Sequence, residues 1–217
     1  MTKKILFLGP AGSGKGTQST KLAEKFAIEH LSTGDLIRGE IKSGSDLGNQ
    51  VKAIVESGAL VSDDIVNEIV KAKLGNLDAF ILDGYPRTLG QAEFLATYTG
   101  LDYIFDLQVD SAALTERLAG RRMCADDYKK KCKGVFHIKF NAPEKAGKCD
   151  LCGSALYQRK DDMPDAIVKR LGGYEAETGG PLNQFYGSQV IKVDASRKPE
   201  EVLADLEEVI KEPLKNA

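Results

Sequence analysis

Ile5-Leu6-Phe7-Leu8 is an apolar run that ends in Gly9-Pro10-Ala11-Gly12-Ser13-Gly14-Lys15-Gly16-Thr17, after which Leu22, Ala23 and Phe26 recur at helical spacing. The order reads as strand, glycine loop, helix. Glycines at 9, 12, 14 and 16 let the backbone curl so that successive N–H groups point at one anion, while the helix adds its positive end and Lys15 a point charge. Such a loop is a cradle for a polyphosphate. The spacing from Gly9 to Gly14-Lys15 satisfies the phosphate-loop pattern, but the next position, where a magnesium-binding Ser or Thr usually sits, is Gly16, with Thr17 one place late. The metal must then be held mainly by another residue.

Downstream, His30-Leu31-Ser32 is a short strand, and Ser32-Thr33-Gly34-Asp35 caps a helix from Leu36 to Lys42 that carries Arg38. Ser43-Gly44-Ser45-Asp46 separates it from a helix over Leu47–Glu56, and Ser57-Gly58 breaks the chain again. Ser62-Asp63-Asp64 caps a third helix. Ala79-Phe80-Ile81-Leu82 is an unbroken apolar run suited to a buried parallel strand, and Asp83-Gly84-Tyr85-Pro86-Arg87-Thr88 follows at its C-terminal end, where open α/β sheets bind ligands. Asp83 is thus placed to approach the phosphates and Arg87 to reach a second phosphate.

A helix over Thr88–Thr97, a strand over Tyr103–Val109 and a helix over Ser111–Leu118 come next. Asp161-Asp162 and Pro164 open a helix containing Ile167, Arg170 and Leu171; Val190–Val193 is the last strand and Pro199–Lys211 the closing helix. Five strands alternating with helices predict an α/β fold, a doubly wound parallel five-stranded sheet flanked by helices. Cys124 to Lys160 matches no helix and is too long for an ordinary loop, so it is read as a lid or small subdomain.

The formal net charge of 217 residues is -2, which gives no global attraction for nucleic acid or an anionic membrane. Anion affinity must therefore be local. Only eight of the 30 basic residues are Arg, at 38, 87, 117, 121, 122, 159, 170 and 197, and most sit beside glycines, prolines or acidic pairs. The planar guanidinium matches phosphate oxygens, so a scarce, clustered Arg set suggests phosphate clamps. Gly9-Pro10 stops the first apolar run far short of a signal peptide, and no segment could span a bilayer, so the expected compartment is the cytoplasm. The four Cys read C-x7-C-x16-C-x2-C, and Cys149-x2-Cys152 before Gly153 has the spacing of half a zinc knuckle. The first gap is wide. If Cys124 is displaced, Asp126, Asp127 or His137 could supply the fourth ligand, since zinc accepts N and O as well as S. A hairpin is expected around residues 136–140, with Phe136, Ile138 and Phe140 on one face.

Gly9 to Thr17, Ser32-Thr33-Gly34-Asp35 with Arg38, Leu82 to Thr88 with Gln91, Gly120-Arg121-Arg122, Gln158-Arg159-Lys160-Asp161-Asp162 and Arg170 occur together and in order. In this the chain closely resembles the adenylate kinase family, in its bacterial long-lid, metal-binding form, over nearly its whole length. The resemblance implies reversible phosphoryl transfer from MgATP to AMP, giving two ADP. It implies a core of residues 1–31, 62–123 and 162–217, an NMP-binding insertion over 32–61 and a zinc lid over 124–161. It assigns ATP to Gly12, Ser13, Gly14, Lys15, Gly16, Thr17, Arg117, Arg121, Val135, Phe136 and the backbone at Lys198. It assigns AMP to Thr33, Arg38, Ala59, Leu60, Val61, Gly84, Tyr85, Pro86, Arg87 and Gln91, with Arg159 and Arg170 bridging to the phosphoryl group in flight. Lys15, Asp83, Arg87, Arg121, Arg159 and Arg170 are the implied catalytic set. Asp83 would hold Mg²⁺ through water, and Cys124, Cys132, Cys149 and Cys152 a structural Zn²⁺. Tyr85 stands where Phe is usual, and Asn141-Ala142-Pro143 lacks one of two usual prolines. The expected ligands are ATP, AMP and ADP, with neither nucleic acid nor membrane as partner, and the expected state is a monomer.

An acceptor phosphate with a second pKa near ~6 is already mostly a dianion at neutral pH and needs no general base. That fits a site rich in Arg and poor in His, in which catalysis is positioning plus electrostatics. A UMP/CMP kinase would share the loop and the Arg set, but Thr33 and Gln91 resemble an adenine-contacting pair. A nucleotide-switched protein using a zinc module to bind a partner would need the interleaved aromatic and basic residues that are missing outside the site.

Overall fold

The computed structural model describes residues 3–75, 77–126, 132 and 134–211. Along the chain, β1 (Lys4–Leu8) is followed by α1 (Lys15–Phe26), β2 (Glu29–Ser32), α2 (Thr33–Ser43), α3 (Asp46–Glu56), α4 (Asp63–Leu74) and β3 (Phe80–Asp83). Then come α5 (Leu89–Tyr98), β4 (Tyr103–Gln108), α6 (Ser111–Gly120), β5 (Arg121–Cys124), β6 (Val135–His137) and β7 (Leu156–Tyr157). The chain closes with α7 (Pro164–Gly172), α8 (Gly180–Tyr186), β8 (Val190–Asp194) and α9 (Pro199–Lys211).

Five of these strands form one parallel sheet in the order β2-β3-β1-β4-β8. Because β1, β3 and β4 are apolar at consecutive positions, both faces of the sheet bury side chains. Leu6, Leu8, Leu82 and Ile104 enter one layer with Val66, Val70 and Leu95 of the helices. Ile5, Phe7, Ile81, Phe105 and Leu107 enter the other with Leu22 of α1 and Val202 and Leu206 of α9. Fully burying such a side chain contributes about 1.5–3 kcal/mol, so two complete layers hold the strand ends rigid. After β1 the chain builds β2 and β3 on one side of it and then crosses to β4 and β8 on the other. That reversal makes a crevice beyond the C-terminal ends of the strands, and the glycine loop opens into it.

Side-chain caps set the helix starts. Ser32 Oγ accepts the Asp35 N–H at 3.4 Å, so α2 begins at Thr33, three residues before the predicted Leu36. Ser45 and Thr88 cap α3 and α5 in the same way, at 3.0 and 3.1 Å. Pro199–Lys211 is the helix that the sequence predicts. The 173–189 segment, whose Gly-rich start hides any periodicity, contains α8 and packs Leu182 and Tyr186 into the first layer.

A second, antiparallel sheet of three strands has the order β6-β5-β7 and already takes in Arg121. The expected apolar face of its hairpin does not form. Phe136 is buried, but Ile138 and Phe140 are 59% and 58% exposed. The reason is local: the strand ends at His137, whose Nδ1 accepts the N–H groups of Lys139 and Phe140 at 3.0 and 3.1 Å. The resulting turn breaks the alternation and returns the chain to pair His137 with Asn141.

Candidate active site and thiol cluster

Gly12 and Gly14 have φ of +86° and +100°, values that only glycine adopts without strain, and they turn the loop into the first turn of α1. Ser13 is buried, whereas Gly16 and Thr17 are exposed at the start of the helix. Lys15 folds back over the loop and donates to the carbonyls of Gly9 and Pro10 at 2.6 and 2.9 Å. Burial pulls its pKa from 10.5 down to about 8; Asp83 opposes that fall, while Arg87, Arg170 and Arg121 add to it. A carboxylate stands opposite the missing hydroxyl at 16: a Cβ there would lie 3.4 Å from Asp83 Oδ2. Burial disfavours the Asp83 anion, but His30, Lys15 and Arg87 outweigh it and hold the carboxyl below its usual value.

Beside this loop lies an open cleft of about 610 Å³ whose lining includes Thr33, Arg38, Ala59, Leu60, Val61, Gly84, Arg87, Gln91, Arg159, Asp161 and Arg170. Thr33 donates its hydroxyl to the Gly84 carbonyl at 2.7 Å. Arg87 Nε donates to that same carbonyl at 2.9 Å. The Tyr85 side chain turns the other way, wholly buried in the core, with its hydroxyl donating to Asn67 Oδ1 at 2.6 Å; this is how the position accepts Tyr in place of Phe. Pro86 is buried as well. Only the backbone of these two residues can face the cleft.

Four of the site's arginines are paired with carboxylates. Arg121 grips Asp162 with two bonds of 2.8 and 2.6 Å, and Arg170 reaches the same carboxylate at 3.0 Å. Arg159 pairs with Asp161, and Arg38 with Asp35. Burial lowers the pKa of Arg38 and Arg87 and takes that of Arg170 down to about 10. For Asp161 burial works against ionisation, yet Arg159, Arg170 and Arg38 hold its carboxyl far below the usual range. Lys15 and the five arginines face Asp35, Asp83, Asp161 and Asp162, so positive charge is in excess.

The remaining residues expected at a nucleotide lie on two neighbouring surfaces. Arg117 donates to the carbonyls of Ala195 and Ser196 at 3.0 and 3.2 Å, and Gln18 of α1 to that of Pro199 at 2.9 Å. Exposed Lys198 lies between those anchors. Val135 is exposed on β6, but the Phe136 ring is packed among the thiols and is not presented to the cleft.

Cys124, Cys132, Cys149 and Cys152 converge, with all four Sγ atoms within 4.8 Å of one another and separations of 3.4 and 3.6 Å for the 124–152 and 132–149 pairs. A tetrahedron of zinc–sulfur bonds near ~2.3 Å has edges of about 3.8 Å, so a thiol set of this number and spread suits one such ion. The wide first gap does not displace Cys124. Asp126 is engaged by the Ser154 hydroxyl, and His137 Nε2 lies 3.1 Å from the Glu116 carbonyl, away from the sulfurs. Asp127 lies outside the described residues.

Three contributors at the site carry no motif. Asp63 holds Gln91 and Thr88, at 2.8 and 2.6 Å, where its place in the sequence suggests only a helix cap. Tyr174 offers its hydroxyl oxygen to the Gly9 N–H at 2.8 Å. Asp106, buried on β4, accepts from Gln108 and Asn183 at 2.6 and 3.0 Å. Each is legible only once the chain is folded.

Among the described residues no helix is long and apolar enough to cross a membrane. The sequence model of the family described as adenylate kinase matches residues 7–191. The adenylate kinase of Treponema denticola is 42% identical over 204 residues, which is 92% of this chain and 95% of the relative. That of Halobacterium salinarum is 41% identical over 214 residues, covering 96% of both chains. That of Alkaliphilus oremlandii is 40% identical over 213 residues, 94% of this chain and 96% of its own. With the phosphate loop, the paired arginines and the thiol cluster in one fold, and with relatives matched almost end to end, the chain belongs to the adenylate kinase family.

Proposed function

We propose that the chain transfers the terminal phosphoryl group of ATP, taken as its magnesium complex, to AMP and back, giving two ADP. The observation that carries this reading is the crowding of Lys15, Arg38, Arg87, Arg121, Arg159 and Arg170 around one cleft beside a phosphate loop. Six buried or half-buried cations repel one another unless highly charged anions lie between them. Two nucleotide phosphate chains are such anions.

In this reading Gly12 to Thr17 cradle the ATP phosphates, and Arg117, Val135, Phe136 and the Lys198 backbone flank the nucleoside. Given the burial of its ring, Phe136 contributes through its backbone. Thr33, Ala59 to Val61, Gly84 to Pro86 and Gln91 receive AMP, whose phosphate meets Arg38 and Arg87. Arg121, Arg159 and Arg170 converge on the transferring group. Asp161 and Asp162 orient these three guanidiniums and are exchanged for phosphate oxygens on binding. The acceptor is already ionised, so no side chain has to remove a proton, and rate comes from alignment and from charge matched to the transition state. Mg²⁺, when bound with ATP, screens the charge between the phosphates, and Asp83 beside Gly16 is the carboxylate suited to hold it through water.

The proposed division is a core of 1–31, 62–123 and 162–217, an NMP-binding insertion of 32–61 and a lid of 124–161. The four cysteines would hold Zn²⁺, which thiolates favour over hard cations. The protein would work as a cytoplasmic monomer on soluble nucleotides, with no nucleic-acid or membrane partner. A coupled assay of ADP formation with AMP, UMP and CMP as acceptors tests the reading. AMP should be preferred by a wide margin; equal turnover of UMP or CMP would replace it with a pyrimidine nucleotide kinase, and no turnover at all with a binding protein.

A further inference from the structure

We propose that Asp63 is a positioning residue for base specificity: it locks the side-chain amide of Gln91 in one of its two orientations, so that the acceptor cleft selects an edge with an amino donor beside a ring-nitrogen acceptor, as in adenine. The proposal rests on the reading of Gln91 as a base contact. A glutamine amide can be turned end for end with almost no change of shape, exchanging donor for acceptor, so its neighbours alone decide what it reads. Gln91 is 2% exposed and lines the cleft, which makes those neighbours few.

Two of them fix it. Oε1 accepts the backbone N–H of Arg87 at 2.8 Å, and Nε2 donates to Asp63 Oδ1 at 2.8 Å. A backbone N–H can only donate, and an ionised carboxylate can only accept. Reversing the amide would therefore set N–H against N–H at one end and oxygen against oxygen at the other. Each buried group left unpaired in this way is strongly disfavoured.

Asp63 is itself held in place. Its Oδ2 accepts the Thr88 hydroxyl at 2.6 Å, and that hydroxyl oxygen accepts the Gln91 backbone N–H at 3.1 Å. The carboxylate also lies against the first turn of α5, since a Cβ on Gly90 would come within 3.1 Å of Oδ2. After these bonds the amide keeps one N–H and one oxygen lone pair for a ligand. An adenine edge complements that pair. Hypoxanthine, with a carbonyl where adenine has its amino group and an N–H where adenine has a ring acceptor, presents the reverse. The Arg87 N–H favours this orientation from the backbone whatever the side chains, and Asp63 is the side chain that completes the lock by refusing the reversed amide at its other end.

Asp63→Asn tests this, because a carboxamide of the same shape can donate or accept and so removes the penalty for reversal at this end, leaving the Arg87 N–H alone to oppose it. The readout is the ratio of kcat/KM for AMP to that for IMP, together with thermal unfolding. The expected result is a fall in the ratio of about tenfold or more, carried by both a loss with AMP and a gain with IMP. An unchanged ratio, with both substrates losing equally, would show that Asp63 only supports the fold. If Asp63→Asn does not fold, Asp63→Ser, which can also donate or accept, is read in the same way; failure of both to fold overturns the proposal in favour of a structural role. Gln91→Leu separates the two levels of the argument. If it leaves the ratio intact, Gln91 does not read the base and the proposal falls with that reading. If it lowers the ratio while Asp63→Asn does not, the reading stands and Asp63 is excluded.

Discussion

Gly134→Ala perturbs the thiol cluster without removing a thiol. A Cβ at this position would lie 2.7 Å from Cys149 Sγ and 3.1 Å from Phe136 Cε2, with Cys124 Cβ at 3.5 Å closing the third side. Ordinary contact begins near 3.4 Å, so the sulfur must retreat by about 0.7 Å. Thiolate–metal distances tolerate only ~0.2 Å, and the Phe136 ring blocks an escape by tilting the strand. Cys149 therefore gives up its place, or the backbone at Gly134, just before β6, lifts and breaks the bond between the Cys124 N–H and the Gly134 carbonyl, 3.0 Å long. Overpacking of this kind destabilises by about 1–3 kcal/mol, which in a chain of this size is a fall of about 2–12 °C in Tm. Metal affinity should fall by ~10–100-fold, the range seen when a ligand is misaligned and not lost. The assays are metal content after dialysis against a weak chelator, and differential scanning calorimetry. Activity at low temperature should survive, because no cysteine lines the cleft. Full metal content with an unchanged melting curve would refute the argument, and Cys149→Ser, which deletes a ligand outright, sets the scale for a complete loss.

Arg87→Ala should lower kcat by at least ~10²-fold, since a guanidinium that meets charge developing in the transition state is worth several kcal/mol; a change confined to KM for AMP would restrict Arg87 to ground-state binding. Tyr174→Phe leaves the Gly9 N–H without its partner, which should lower stability by about 1–3 kcal/mol and raise KM for ATP more than KM for AMP; equal effects on both would detach Tyr174 from the phosphate loop. Lys15 gives a pH signature of definite sign. Its pKa of about 8 in the fold lies below the ordinary 10.5, so between those values the unfolded chain binds more protons and this group's contribution to stability rises with pH. Bound phosphates restore the charge, so ATP binding at pH 9 should take up a proton and weaken as pH rises further. Calorimetry in two buffers of different ionisation enthalpy that detects no uptake would contradict this.

The parts legible in the sequence are those whose signal is local. Gly9 to Thr17, the apolar runs before it and before Asp83, and the caps at Ser32, Ser45 and Thr88 each announce a geometry within a few residues, and the sheet, crevice and cation set follow from them. Phe136 to Phe140 misled because alternation was extended through a turn. Nothing in the residue types says that His137 will bend back to cap the next two N–H groups, and that bond ends the strand. Asp63 and Tyr174 escaped for the opposite reason. Their partners are 28 and 165 positions away, so no spacing rule connects them to the site.

The same distinction bears on how the proposed cation site would be kept ordered for its substrate. Arg121 and Arg159 are separated by 38 positions, yet Asp161 and Asp162, adjacent in sequence, divide their guanidiniums between them and share Arg170 as well. A carboxylate that accepts from two arginines relieves their repulsion without neutralising both, so the cluster stays ordered and still short of negative charge. In the proposed reaction phosphate would then have to outcompete carboxylate for guanidiniums already ordered by these pairs. It can do so because each phosphate brings more charge and more acceptor oxygens, and the side chains it recruits have little orientational freedom left to lose.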